Sequence, residues 1–201
     1  MYNYLIDKKL FEGSFAEFYD YYEKFLDPVY EGKMNYNHAY GQFVQSMGIA
    51  DKMAFIKQSM EMKSKFEKER QLFPEVKMTL KKLSENGIIN CVLTDNEKSE
   101  EAVRKEVIER FKINPYIDKI FTSYDLKVKK PSQKIFEKVL EYYSVRKSDC
   151  LFIGHDKDEI EGCRIFGIKT VLYNNYLNRK IDYDYLIHHF SGIVQIANKM
   201  C

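Results

Sequence analysis

The sequence has no tryptophan, only four prolines and only nine glycines in 201 residues, and this scarcity of chain-breaking residues excludes collagen-like and Gly/Pro-rich linker architectures. An excess of either charge is absent too, with 32 Lys and Arg against 30 Asp and Glu. Such a balance produces no long-range field to gather nucleic acid, and no nucleic-acid partner is expected. Long apolar runs are also lacking. The N-terminal text MYNYLIDKKLFEG reaches Asp7, Lys8 and Lys9 too soon for a signal peptide or a membrane span, so a cytoplasmic protein without membrane contact is expected. Four cysteines, Cys91, Cys150, Cys163 and Cys201, form no C-x-x-C pair and read as free thiols of a reducing compartment. No phosphate loop, dinucleotide fingerprint or Gly-x-Ser-x-Gly elbow occurs.

What is present is a folded-protein composition, 45% apolar and 31% charged, with enough length to bury a sizeable core. Tyr2 to Ile6 is a brief apolar run ending at Asp7, which predicts a buried first strand. From Ser14 to about Arg70 the period becomes helical, with Phe15, Phe18, Tyr22 and Phe25 spaced by three or four behind a Ser14 cap. Pro28, Gly32, Gly41 and Gly48 divide that stretch into about four helices, the last over about Lys52 to Lys68. Beyond Pro74, helices over 75–85, 99–111, 133–143 and 160–166 alternate with strands over 88–93, 119–122, 150–153 and 170–173. Each parallel crossover needs about a dozen residues, and this alternation supplies them. The expected fold class is therefore α/β, a doubly wound, Rossmann-like parallel sheet core over 1–12 and 72–201 with an inserted helical cap over 13–71.

Sites in such sheets lie beyond the carboxyl ends of the strands. The residues there are Asp7, then Thr94 with Asp95 and Asn96, then Lys130 with Pro131, and finally Gly154, His155, Asp156, Asp158 and Glu159. A carboxylate to attack, a hydroxyl and an ammonium to hold oxygens, and an acidic loop for a divalent cation are the parts that phosphoryl transfer requires.

Their order and spacing resemble the haloacid dehalogenase-like superfamily of hydrolases, most of whose members are magnesium-dependent phosphatases. The resemblance rests on LFPEVKMTLKKLSENGIINCVLTDN, on KVKKPSQKIFEKVLEYYSVRKSDCLFIGHDKDEIEGCRIFGIKTVLYN, and on the helical stretch, which is similar to the family's cap. It implies an Asp7 nucleophile, a phosphate held by Thr94 and Lys130 with Asp95 and Asn96 nearby, and Mg2+ on Asp7, Asp156, Asp158 and Glu159. The implied partner is a small phosphorylated molecule; the sequence names no protein partner.

Two motifs depart from the family's pattern. Where it has a second aspartate as general acid, Lys9 stands here, and an ammonium with its pKa near 10 is a poor proton donor at neutral pH. Where it has a metal-supporting aspartate, His155 stands, and magnesium prefers oxygen donors. Fewer carboxylates and an added lysine suggest that Lys9 and Lys130 hold a phosphate without metal. Two functions follow, a phosphatase acting on a small phosphate ester, or a catalytically inactive relative that binds a ligand or a protein.

Overall fold

The computed structural model describes residues 1–200; Cys201, the fourth expected thiol, lies outside the described residues. The chain divides into two compact units, Met1–Gln71 and residue 72 onward.

The first unit is helical: α1 (Tyr2–Asp7), α2 (Phe15–Tyr30), α3 (Tyr36–Ser46) and α4 (Lys52–Glu69). Short polar side chains at the N-caps start the three long helices by taking backbone N–H groups that have no helical acceptor. Ser14 and Glu17 form a reciprocal capping box, Asn35 Oδ1 accepts from the His38 N–H at 2.9 Å, and Asp51 Oδ1 accepts from the Ala54 N–H at 3.0 Å. There are three long helices where about four were expected. Pro28 stands inside α2 and Gly41 inside α3, whereas the chain turns at Gly32 and Gly48, whose φ of 67° and 64° suits glycine.

The first segment corrects the sequence reading. Tyr2–Asp7 is a helix, not a strand, because a short apolar run fits either and tertiary burial decides between them. Leu5 is fully buried against Phe18, Tyr40, Phe43 and Val44, and Tyr2, one turn earlier, packs on the same cluster. Lys9, at φ 55°, ends the helix by donating its N–H to the Ile6 carbonyl at 2.9 Å.

The second unit is α/β. Helix α5 (Val76–Glu85) leads to β1 (Val92–Thr94), followed by α6 (Glu100–Val103) with a π-helical continuation over Arg104–Glu109, and then β2 (Ile120–Thr122). Next come α7 (Ser123–Leu126), α8 (Gln133–Tyr143), β3 (Leu151–Gly154), α9 (Lys157–Phe166), β4 (Lys169–Tyr173), β5 (Tyr185–Ile187) and α10 (Ile193–Ala197). All pairings are parallel, as expected for strands joined by helices: β1 with β2, and β4 between β3 and β5. Among the described residues the strands thus form two sheets, of two and three strands, in which β1 and β3 each have a ladder partner on one side only. β1 begins four residues later than expected, and before it the Asn90 side-chain amide donates to the Leu80 and Tyr116 carbonyls, at 3.3 and 3.2 Å. β5 was not expected.

Buried Ile120, Ile135, Ile160, Cys163, Val171 and Ile193 fill the spaces between strands and helices. Cys91, Cys150 and Cys163 are free thiols. Among the described residues no helix is long and apolar enough to cross a membrane.

Since Leu5 packs as a helical core residue, Leu5→Ala is expected to cost about 2–5 kcal/mol of stability through lost contact and residual cavity. Urea unfolding followed by circular dichroism would measure it.

Candidate active site

The carboxyl ends of β1 and β3 carry the polar residues of the α/β unit, and Lys130 joins them. Its side chain is only 6% exposed. The ammonium donates to the Leu93 carbonyl of β1 at 3.3 Å and pairs at 2.7 Å with Glu159, in the first turn of α9. Asp95 stands 3.9 Å from the same nitrogen, beyond hydrogen-bond range, but its Oδ1 accepts from the Lys130 backbone N–H at 3.2 Å. An ammonium has three donors, so one remains uncommitted in this arrangement. Burial without partners would be prohibitive for such a charge, and the two carboxylates and the carbonyl make it tenable.

Asp95 bears the cost of that crowding. Burial pushes its carboxyl up to about 6 and the nearby Glu159 charge adds to the rise, while Lys130 opposes it. Next to it, the Asn96 N–H donates to Ser123 Oγ at 3.0 Å, and the Asn96 side chain accepts from the Lys98 N–H at 3.0 Å. Ser123, fully buried at the start of α7, thus fixes the turn after β1. Sequence reasoning missed it, and its only signal is its position directly after β2.

Thr94 ends β1, half-buried, with its hydroxyl 3.4 Å from the Asp95 carbonyl. Asp156 is the N-cap of α9 and accepts from the Asp158 N–H at 3.0 Å; Asp158 and Glu159 follow in the first turn, where acidic side chains complement the helix dipole. His155 is exposed, its ring 5.3 Å from that of Tyr176. Thr94, Asp95, Asn96, Lys130, Asp156, Asp158 and Glu159 therefore gather at one end of the α/β unit. Asp7, expected at a strand end, is instead the exposed last residue of α1, and Lys9 closes that helix; both belong to the helical unit.

The expected magnesium ligands do not fit the ion. Magnesium needs several converging oxygens, yet Glu159 is engaged by the Lys130 ammonium and Asp7 ends α1 in the helical unit. Among the described residues no three His, Cys, Asp or Glu side chains come together as a metal-holding group.

Comparison with known proteins places the chain in a family. The model of the haloacid dehalogenase-like hydrolase family matches residues 8–173. The chain belongs to that family. It is 30% identical over 112 residues to the ribulose-1,5-bisphosphate 5-phosphatase of Halopiger xanaduensis, a match covering 55% of this chain and 46% of that protein. It is 26% identical over 133 residues to the glyceraldehyde 3-phosphate phosphatase of Pyrococcus furiosus, covering 63% of this chain and 54% of that one. The chain thus spans about half the length of the curated relatives it matches. In fold it is similar to the putative HAD-hydrolase YfnB from Bacillus subtilis, solved bound to magnesium, with a TM-score of 0.68 and 18% identity over 98% of this chain and 88% of that one. The fold class is that expected, a Rossmann-like α/β core with a helical cap unit.

Two outcomes are expected. Lys130→Ala leaves Glu159 and Asp95 without their cation and costs roughly 3 kcal/mol, measurable by urea unfolding. The folded protein holds the Asp95 proton up to about 6, whereas an unperturbed carboxyl releases it near 3.8. Folding therefore favours the protonated form, and the Asp95 contribution to stability falls as pH rises from about 4 to about 6, by on the order of 2 kcal/mol. In Asp95→Asn this component of the pH dependence disappears, which thermal melts across that range would record.

Proposed function

We propose that the α/β unit recognises the phosphate group of a small phosphorylated molecule in the cytoplasm, and that it does so through Lys130 without magnesium. The observation that carries this reading is the Lys130 ammonium itself, buried, anchored on Glu159 and on the Leu93 carbonyl of β1, and left with one uncommitted donor. A fixed ammonium of this kind serves phosphate oxygens as a point charge. The Thr94 hydroxyl and the Asn96 side-chain amide supply neutral hydrogen bonds alongside it. Asp95 and Glu159 keep the site from collecting anions indiscriminately, since a phosphate must approach on the side of the ammonium that they leave open.

Hydrolysis is the second reading, supported by the similarity to two phosphatases and by family membership. It assigns the nucleophile to Asp7, with Mg2+ as cofactor, and requires of this chain a carboxylate at a strand end that α1 does not provide. For that reason we favour a binding protein of the hydrolase family over a working phosphatase.

One experiment separates the two. Inorganic phosphate is titrated by calorimetry with and without a chelator, and a panel of phosphate esters is assayed with and without magnesium, using the native protein, Asp7→Asn and Lys130→Ala. Binding that survives the chelator and weakens at least tenfold in Lys130→Ala, with no turnover, is expected. Magnesium-dependent turnover abolished by Asp7→Asn would overturn the binding reading and establish the phosphatase.

A further inference from the structure

Gly162 lies in the interior of α9, where glycine is unfavourable by roughly 1 kcal/mol relative to alanine, so its presence calls for a spatial reason. The reason is Pro131. A Cβ on Gly162 would meet Pro131 Cβ at 2.5 Å, with the Pro131 carbonyl oxygen at 3.2 Å and Cα at 3.4 Å. These are atoms of a ring and of main chain, which cannot swing aside as the tip of a long side chain can.

Pro131 is the residue after Lys130, and Glu159, which pairs with Lys130, precedes Gly162 by three positions. Residues three apart share a helix face. One face of α9 thus meets the Lys130–Pro131 segment twice, with a carboxylate drawing the ammonium in and a bare backbone letting the proline seat against the helix. The carboxylate sets where the ammonium points. The bare backbone sets how near the segment lies.

We propose that Gly162 is a positioning residue, whose lack of a side chain fixes the distance of the Lys130–Pro131 segment from α9 and so places the Lys130 ammonium at the strand ends. The inference rests on the phosphate-recognition reading for its consequence, though its geometry can be tested without phosphate. A methyl group at 162 pushes Pro131 away, and Lys130 must either leave Glu159 or follow with altered aim. Because the obstacle is Pro131 Cβ, removing that atom should cancel the effect.

The test compares the native full chain with Gly162→Ala, Pro131→Gly, the double variant, and Ile165→Ala as a control at an exposed position of the same helix. Two readouts are taken: the affinity for inorganic phosphate by calorimetry, and the rate at which an amine-acylating reagent modifies Lys130, followed by peptide mass spectrometry. Gly162→Ala is expected to weaken phosphate binding at least tenfold and to speed Lys130 acylation several-fold, with Ile165→Ala unchanged in both. In the Pro131→Gly background the same alanine is expected to change either readout less than twofold.

If the native protein binds phosphate and Gly162→Ala alters neither readout, the positioning role is wrong while the phosphate reading stands. If the native protein binds no phosphate, the phosphate reading fails, and accelerated acylation that Pro131→Gly cancels still supports the positioning role. Should Gly162→Ala fail to fold, recovery of a folded double variant supports the interlock, and failure to recover overturns it.

Discussion

The buried ion pair between Lys130 and Glu159 is the constraint around which the strand-end region is built. An ammonium removed from water must be answered by acceptors at short range, and here they come from separate elements: Glu159 from the first turn of α9 and the Leu93 carbonyl from β1. The pair therefore ties the end of one sheet to the helix that follows the first strand of the other. Asp95 carries the electrostatic consequence, being close enough to feel Glu159 and too far from the ammonium for a hydrogen bond to it. Its raised proton affinity comes first from burial, with the Glu159 charge adding to it against the pull of Lys130.

Occupation of the acidic residues by the protein itself separates this site from a metal centre. Glu159 neutralises a lysine and Asp156 caps a helix through one oxygen, so carboxylates that the family resemblance directed toward a cation also serve the fold. A family defines a scaffold and a location for chemistry, and the chemistry follows from the groups left uncommitted there. In this chain the prominent uncommitted group is one donor of a fixed cation, suited to an anion, which is why recognition of phosphate is the function the geometry favours.

Much of the α/β architecture was legible in the sequence because burial and period agree there. Gln133–Tyr143 carries its apolar side chains at helical spacing and folds as read; Thr94 and the GHDKDE segment fall at strand or helix ends as their flanking apolar runs indicate, and Lys130 lies in the turn before α8. The N-terminus was misread for a physical reason. Tyr2 and Leu5 satisfy either a strand or one helical turn, and the choice is made by the aromatic cluster of Phe18, Tyr40 and Phe43, which no local pattern displays. With that misreading Asp7 was assigned to a strand end. The partner of Glu159 was equally hidden, since a glutamate at a helix start reads alike as metal ligand, cap or ion-pair member. Gly162 could be recognised only once Pro131 was seen against it.

The division of the strands into two ladders gives the molecule an uneven resistance to opening. β4 is hydrogen-bonded on both sides, and its Thr170, Val171 and Leu172 are buried, so its amides open to solvent only when the three-stranded sheet gives way as a whole. β1, three half-buried residues with a ladder on one side, is released by far smaller fluctuations. Thr94 therefore sits on the more yielding ladder while Glu159 follows a strand anchored to β4. The strand-end region is thus set between a stiffer and a more yielding ladder, and Lys130 is the side chain that spans them.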